Sequence, residues 1–255
     1  MKISISFIYI SIFLIFSLLL SSCVTNKAID NKNSSSINIQ HLKSIAYFKS
    51  KYPQIINSEI NSYFNKLTKK IVKNYSKRKC SLSFVNITIL KSAEIFALTL
   101  NSSDIILSSK LILSLNNEAE LAYILAHEVA HLVLCHPTII NHSNNEKSDI
   151  STAYQKNKSI SNLQSLTKNK VLELEADALA LKNIMALGYN PQASLSAISN
   201  LYFNVSRDDS SIYLNQSSHP LISERIEFLG KNIDVTNKKY LNENDSFFKT
   251  QSLIK

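Results

Sequence analysis

Two histidines four residues apart, with a glutamate directly after the first, carry the most specific chemistry in the chain: His127-Glu128-Val129-Ala130-His131. Residues 121–136 around them are mostly apolar and read as one helix, with Asn117 and Glu120 spaced as a capping signal at its start. Four residues is about one helical turn. His127 and His131 therefore project from one face and can grip one metal ion. Glu128 lies roughly 100° further round. It flanks such an ion instead of binding it, where a carboxylate can take a proton from water. The plainer reading is a structural helix with two satisfied histidines. Against it, an unpaired glutamate is costly to bury on so apolar a helix.

A second cluster, Glu173-Leu174-Glu175-Ala176-Asp177, follows further along. Residues 171–187 are rich in Leu, Ala and Glu and run into Gly188 and Pro191, which reads as a helix with a glycine stop. Glu173 and Asp177 are one turn apart and share a face, while Glu175 points elsewhere. Glu173 can then be a third ligand, with Asp177 behind it orienting a histidine through its other ring nitrogen. Alone, such an acidic run would be a solvated helix face.

Together, H-E-V-A-H, E-L-E-A-D, Gly188-Tyr189-Asn190-Pro191, and His219-Pro220 with Arg225 downstream resemble the HtpX/CAAX-prenyl-endopeptidase family of zinc metallopeptidases. The resemblance spans residues 95–229. It implies an α+β, mainly α, gluzincin-like domain with a small β-sheet beside the metal-binding helix. It also implies one Zn2+ per chain held by His127, His131 and Glu173. By the same resemblance His219 lies at the active site, where in some members that histidine can cap the zinc; hydrolysis also needs a donor to the developing oxyanion, and His219 is the candidate. Arg225 is then a second donor or the partner of an acidic residue. The chain departs from the family's pattern at residues 95–109, which hold no glycine before the metal helix.

The N-terminus reads as a targeting segment. Lys2 precedes an apolar run over residues 3–20, and then comes Leu20-Ser21-Ser22-Cys23. An uncleaved membrane anchor is the alternative. Leu-Ser-Ser-Cys resembles a bacterial lipoprotein cleavage box, which implies a signal peptide over residues 1–22 and lipid on Cys23. The expected location is exported, lipid-anchored and periplasm-facing. Val24 stands where an Asp would mark retention at the inner membrane, so the outer membrane is preferred. Residues 23–40 are rich in Asn, Ser and Lys and read as a flexible tether. The peptidase domain is placed at residues 41–231, and residues 232–255 are left as a polar tail.

The net charge of +9 could suggest nucleic acid, but the surplus is spread along an exported chain, so no nucleic-acid partner is expected. Lys66, Lys69, Lys70, Lys73, Lys77, Arg78 and Lys79 form its densest cluster, on a helix whose Ile60, Phe64, Leu67 and Ile71 share a face. A solvated face is the simpler account; a weak hold on anionic lipid heads is the other. Cys80 and Cys135 are read as structural, free or bridged, not as ligands. His136 and His142 open a polar stretch over residues 136–170 and read as surface histidines.

The remaining elements are two helices either side of Pro53, three short strands near residues 82–90, 95–100 and 104–107, and helices after Pro191 and Pro220. The pattern leads to metal-assisted peptide hydrolysis. Three protein ligands leave one position for water, and Glu128 acts as general base. Polypeptides, misfolded or unassembled envelope proteins by resemblance, are the expected substrates, and a membrane is the expected partner of the lipid anchor. A zinc-binding chaperone or adaptor with a latent site is the competing function. A helical lipoprotein without metal is a third.

Overall fold

The computed structural model describes residues 45–75, 79–82, 84–100, 103–136, 162–205, 222–233, 239–241 and 244–255. Cys23, His142, His219 and residues 1–40 lie outside them. The described helices are α1 (residues 45–51), α2 (Ser58–Asn74), α3 (Ser109–Ser114), α4 (Glu118–Leu134), α5 (Asn162–Ala186), α6 (Gln192–Val205), α7 (Ile222–Asn232) and α8 (Asp245–Ile254). The strands are β1 (Asn86–Leu90), β2 (Ala97–Leu100) and β3 (Asp104–Ser108). The expected architecture is present: mainly helical, with a small sheet beside the metal-motif helix.

The centre is α4. Almost every side chain from Glu118 to Val133 is buried, so its apolar residues serve a helix covered on all sides. It packs on α5, α6, α2 and strand β2. Asn117 caps it as expected, its side chain accepting from the Glu120 N–H. Two first-turn carboxylates then tie that end to the bundle. Glu118 accepts from Tyr63 (2.9 Å) and Tyr189 (2.7 Å). Glu120 accepts from the Asn116 N–H, Ser196 and Asn200. Negative charge at a helix N-terminus is favourable, and donors around each carboxylate offset its burial.

The other end of α4 is fixed differently. Cys135 takes the left-handed conformation (φ 60) that ends many helices, and its N–H reaches the carbonyls of His131 and Leu132. A disulfide joins it to Cys80, with Cα atoms 5.6 Å apart. In the chain-entropy account, closing a loop of 55 residues is worth about 4 kcal/mol. Both cysteines are thus structural, as expected.

The sheet has strand order β1-β3-β2, with β1 parallel and β2 antiparallel to β3. Alternation along β2 decides what meets the metal helix. Leu98 and Leu100 join Phe48, Tyr52, Phe96 and Ile106 on one face, whereas Ala97 and Thr99 face α4. Among the described residues no strand pairs with the outer edge of β2.

On α2 the expected amphipathic face holds, with Ile60, Phe64, Leu67 and Ile71 buried. The helix that carries Glu173, α5, closes at Gly188 (φ 87), where Tyr189 N–H reaches the Ile184 carbonyl.

The structure differs from the sequence reading at the C-terminus. The stretch left as a polar tail holds α8, whose Phe247, Thr250 and Ile254 are buried. Gln251 donates to the carbonyls of Ile112 (2.8 Å) and Leu115 (2.9 Å), and Asn244 accepts from the Glu118 N–H. Only a short stripe of apolar residues at helical spacing marks this segment, and the polar residues around it hide the period.

Candidate metal centre

The site lies where α4, α5 and α7 meet beside β2. The helical period places His127 and His131 one turn apart, and their Nε2 atoms are 3.1 Å apart. From α5, Glu173 brings Oε2 to 3.3 Å from His127 Nε2 and Oε1 to 3.4 Å from His131 Nε2. These three residues are the group of potential metal donors found among the described residues. The spacing tests their fit to a metal. Zinc bonds of about 2.0–2.1 Å in tetrahedral geometry put neighbouring donor atoms about 3.3–3.4 Å apart. Two imidazole nitrogens 3.1 Å apart, with one Glu173 oxygen 3.3 Å from the first and the other 3.4 Å from the second, lie near that spacing and suit zinc's ligand chemistry.

Around the triangle the side chains are locked. Asp177, fully buried, sets Oδ1 2.9 Å from His127 Nδ1. The carboxylate accepts from Nδ1–H, which leaves the His127 Nε2 lone pair facing the triangle. Arg225 grips both oxygens of Asp177, through Nε and Nη2, at 2.7 Å each, and Tyr123 donates to Oδ1 at 2.7 Å. Arg225 Nη1 also stands 3.4 Å from Glu173 Oε2. Arg225 is therefore the partner of an acidic residue, one of the two roles its position allowed.

Electrostatics follow from this packing. Burial alone would raise the Asp177 carboxyl, but the Arg225 charge and hydrogen bonds from His127 and Arg225 hold it well below the usual carboxylate range. Burial and Arg225 oppose a charged His127; hydrogen bonds to Asp177 and Glu173 outweigh them and raise its pKa. Proton and metal therefore compete for its Nε2.

Glu128, 2% exposed, faces the sheet. Its Oε2 accepts from the Thr99 hydroxyl at 2.6 Å, and the same hydroxyl lies 3.1 Å from the Glu128 carbonyl. This bond fixes the rotamer of the carboxylate beside the triangle. A small cavity opens here, lined by Ala97, Ile124, Ile198, Ile222 and the polar His127, Glu128 and Arg225.

The chain matches Peptidase family M48 over residues 54–233. It belongs to that family. Members of M48 are metal-dependent peptidases, usually of zinc. A comparison with curated proteins found no match.

In this M48 member the sequence reading brought His127, His131, Glu128, Glu173, Asp177 and Arg225 to one place, and the structure sets all of them within one cluster. It missed Thr99, Tyr123 and His136. Thr99 had a signal, as the polar residue between Leu98 and Leu100. So did Tyr123, one turn before His127 on the same helix. His136 had none. Read as a surface histidine, it is buried, with Nδ1 3.0 Å from His131 Nδ1 and Nε2 3.2 Å from Glu175 Oε2. The left-handed turn at Cys135 folds it back onto the helix, which sequence spacing does not reveal.

Proposed function

We propose that the protein is a zinc metalloendopeptidase of the bacterial cell envelope, exported, lipid-anchored at Cys23 and acting on misfolded or unassembled envelope proteins. The observation that carries the enzymatic reading is the triangle of Nε2, Nε2 and carboxylate atoms with Glu128 beside it. Family resemblance and the residues 1–23 carry the location and substrates.

His127, His131 and Glu173 hold the ion, and Asp177 with Arg225 keeps His127 in the tautomer that binds it. Zinc held there supplies a Lewis acid that activates water and polarises the scissile carbonyl near neutral pH. Glu128 takes the proton of the attacking water and returns it to the leaving nitrogen. The Thr99 hydroxyl holds one Glu128 oxygen, so the carboxylate needs no reorientation to accept that proton. The outer edge of β2, which carries Ala97 and Thr99 and pairs with no strand among the described residues, can hold a substrate backbone as an added strand. His219, outside the described residues, is proposed as donor to the developing oxyanion, on family resemblance.

Purified mature protein is expected to carry one zinc by elemental analysis and to cleave casein in a chelator-sensitive way. His127→Ala, His131→Ala and Glu173→Ala each lose the zinc, because three ligands leave no redundancy. Glu175→Ala keeps it at saturating zinc. Zinc lost from Glu175→Ala and kept by Glu173→Ala would move the third ligand, and zinc-loaded protein without cleavage would favour the chaperone reading.

The anchor has its own test. Cells labelled with a radioactive fatty acid are expected to label the wild type and not Cys23→Ser. Equal label in both defeats the lipoprotein reading.

A further inference from the structure

We propose that His136 and Glu175 form a hydrogen-bonded relay that orients His131 for metal binding. They are positioning residues outside the ligand set. The proposal rests on the reading of His127, His131 and Glu173 as metal ligands.

The positions of the protons on three groups fix the direction of these bonds. His131 presents Nε2 to the donor triangle, 3.1 Å from His127 Nε2 and 3.4 Å from Glu173 Oε1. Its proton therefore resides on Nδ1. That atom faces His136 Nδ1 at 3.0 Å, and two ring nitrogens at this distance share one proton. His131 is then the donor and His136 Nδ1 the acceptor. The proton of neutral His136 is left on Nε2, which points at Glu175 Oε2, a carboxylate acceptor, 3.2 Å away. Every donor meets an acceptor in one direction only: His131 to His136 to Glu175.

The backbone serves the same arrangement. His136 N–H donates to the carbonyl of His131 itself at 3.0 Å. The turn that makes this possible is pinned by the left-handed Cys135 and its disulfide to Cys80. The two ligand histidines are thus oriented by different means. His127 is held directly by a carboxylate, Asp177, whereas His131 is held through an interposed imidazole whose carboxylate is half-exposed, with a side chain 46% accessible. A His136 that merely filled space would not need both ring nitrogens aligned on a ligand and an acid.

Partners of this kind are typically worth about 10–100-fold in metal affinity. The test is a zinc titration of the full-length mature protein against a chromophoric chelator, with far-UV circular dichroism to verify folding. His136→Ala is expected to bind zinc about 10–100-fold more weakly than wild type. His136→Asn, whose Oδ1 can stand near the lost Nδ1, is expected to recover part of that. Glu175→Ala weakens binding less, and adding it to His136→Ala weakens binding no further. A folded His136→Ala with wild-type affinity overturns the proposal, as do fully additive effects of the two substitutions. If His136→Ala does not fold, long-range 1H–15N spectra of the zinc-loaded wild type decide. A proton on Nε2 of His136 and on Nδ1 of His131 supports the relay, and His136 protonated on Nδ1 overturns it. A wild type that takes up no zinc instead defeats the metal reading itself, and the relay falls with it.

Discussion

Glu128→Gln is expected to purify with its zinc and to hydrolyse peptide at least about 10²–10⁴-fold more slowly than wild type. The amide keeps the size of the carboxylate and can still accept from Thr99, so the 2.6 Å contact and the surrounding packing survive. The three donor atoms are untouched, because Glu128 is turned toward β2 and not into the triangle. What is lost is the base. Steady-state cleavage of a fluorogenic peptide, normalised to zinc content, reads the effect. Turnover near that of wild type would mean that another group activates the water.

Asp177→Ala is expected to be the most destabilising single change at the site, by roughly 3–5 kcal/mol. It leaves the Arg225 guanidinium buried without the two 2.7 Å bonds to Asp177, and it takes an acceptor from the Tyr123 hydroxyl and from His127 Nδ1. Adding Arg225→Leu should restore part of the loss, because it removes a buried guanidinium left with Glu173 alone, 3.4 Å away. Urea unfolding of chelator-treated protein measures this without a metal contribution. The pH dependence has a definite sign. A carboxyl held below its unfolded pKa contributes its full stability above that pKa, about 3.9, and loses it as pH falls through the folded value. Wild type and Asp177→Ala should therefore differ fully at neutral pH and converge only in strong acid. A double variant no more stable than Asp177→Ala would show that the cost is a cavity and not a charge.

The parts of the site written at helical spacing were legible. His127 and His131, and then Glu173 and Asp177, are each one turn apart, and the period alone puts each pair on one face. That the two helices would face one another came from resemblance, since no local pattern states which helix packs on which. Arg225 was legible as a residue of interest, but its partner is 48 positions away and is decided by packing. Contacts that cross from helix to strand, such as Thr99 on Glu128, depend on which face of β2 turns inward. Apolar residues on both of its faces conceal that alternation. At His136 the direction of the chain is reversed by one residue in the left-handed region, and at α8 the period is too short to stand out.

The disulfide divides the site in a way that concerns the order in which it comes apart. The covalent ring from Cys80 to Cys135 encloses all three strands, α3 and α4, and with them Thr99, His127, Glu128 and His131. Glu173, Asp177 and Arg225 belong to α5 and α7, outside the ring. A partial opening that lifts α5 away takes one donor of three and leaves the other two on a covalently closed base. An ion shared among the three donors is thus a clasp between ring and flap. Should α5 open while the ring stays closed, amide exchange would quicken in α5 with α4 still protected.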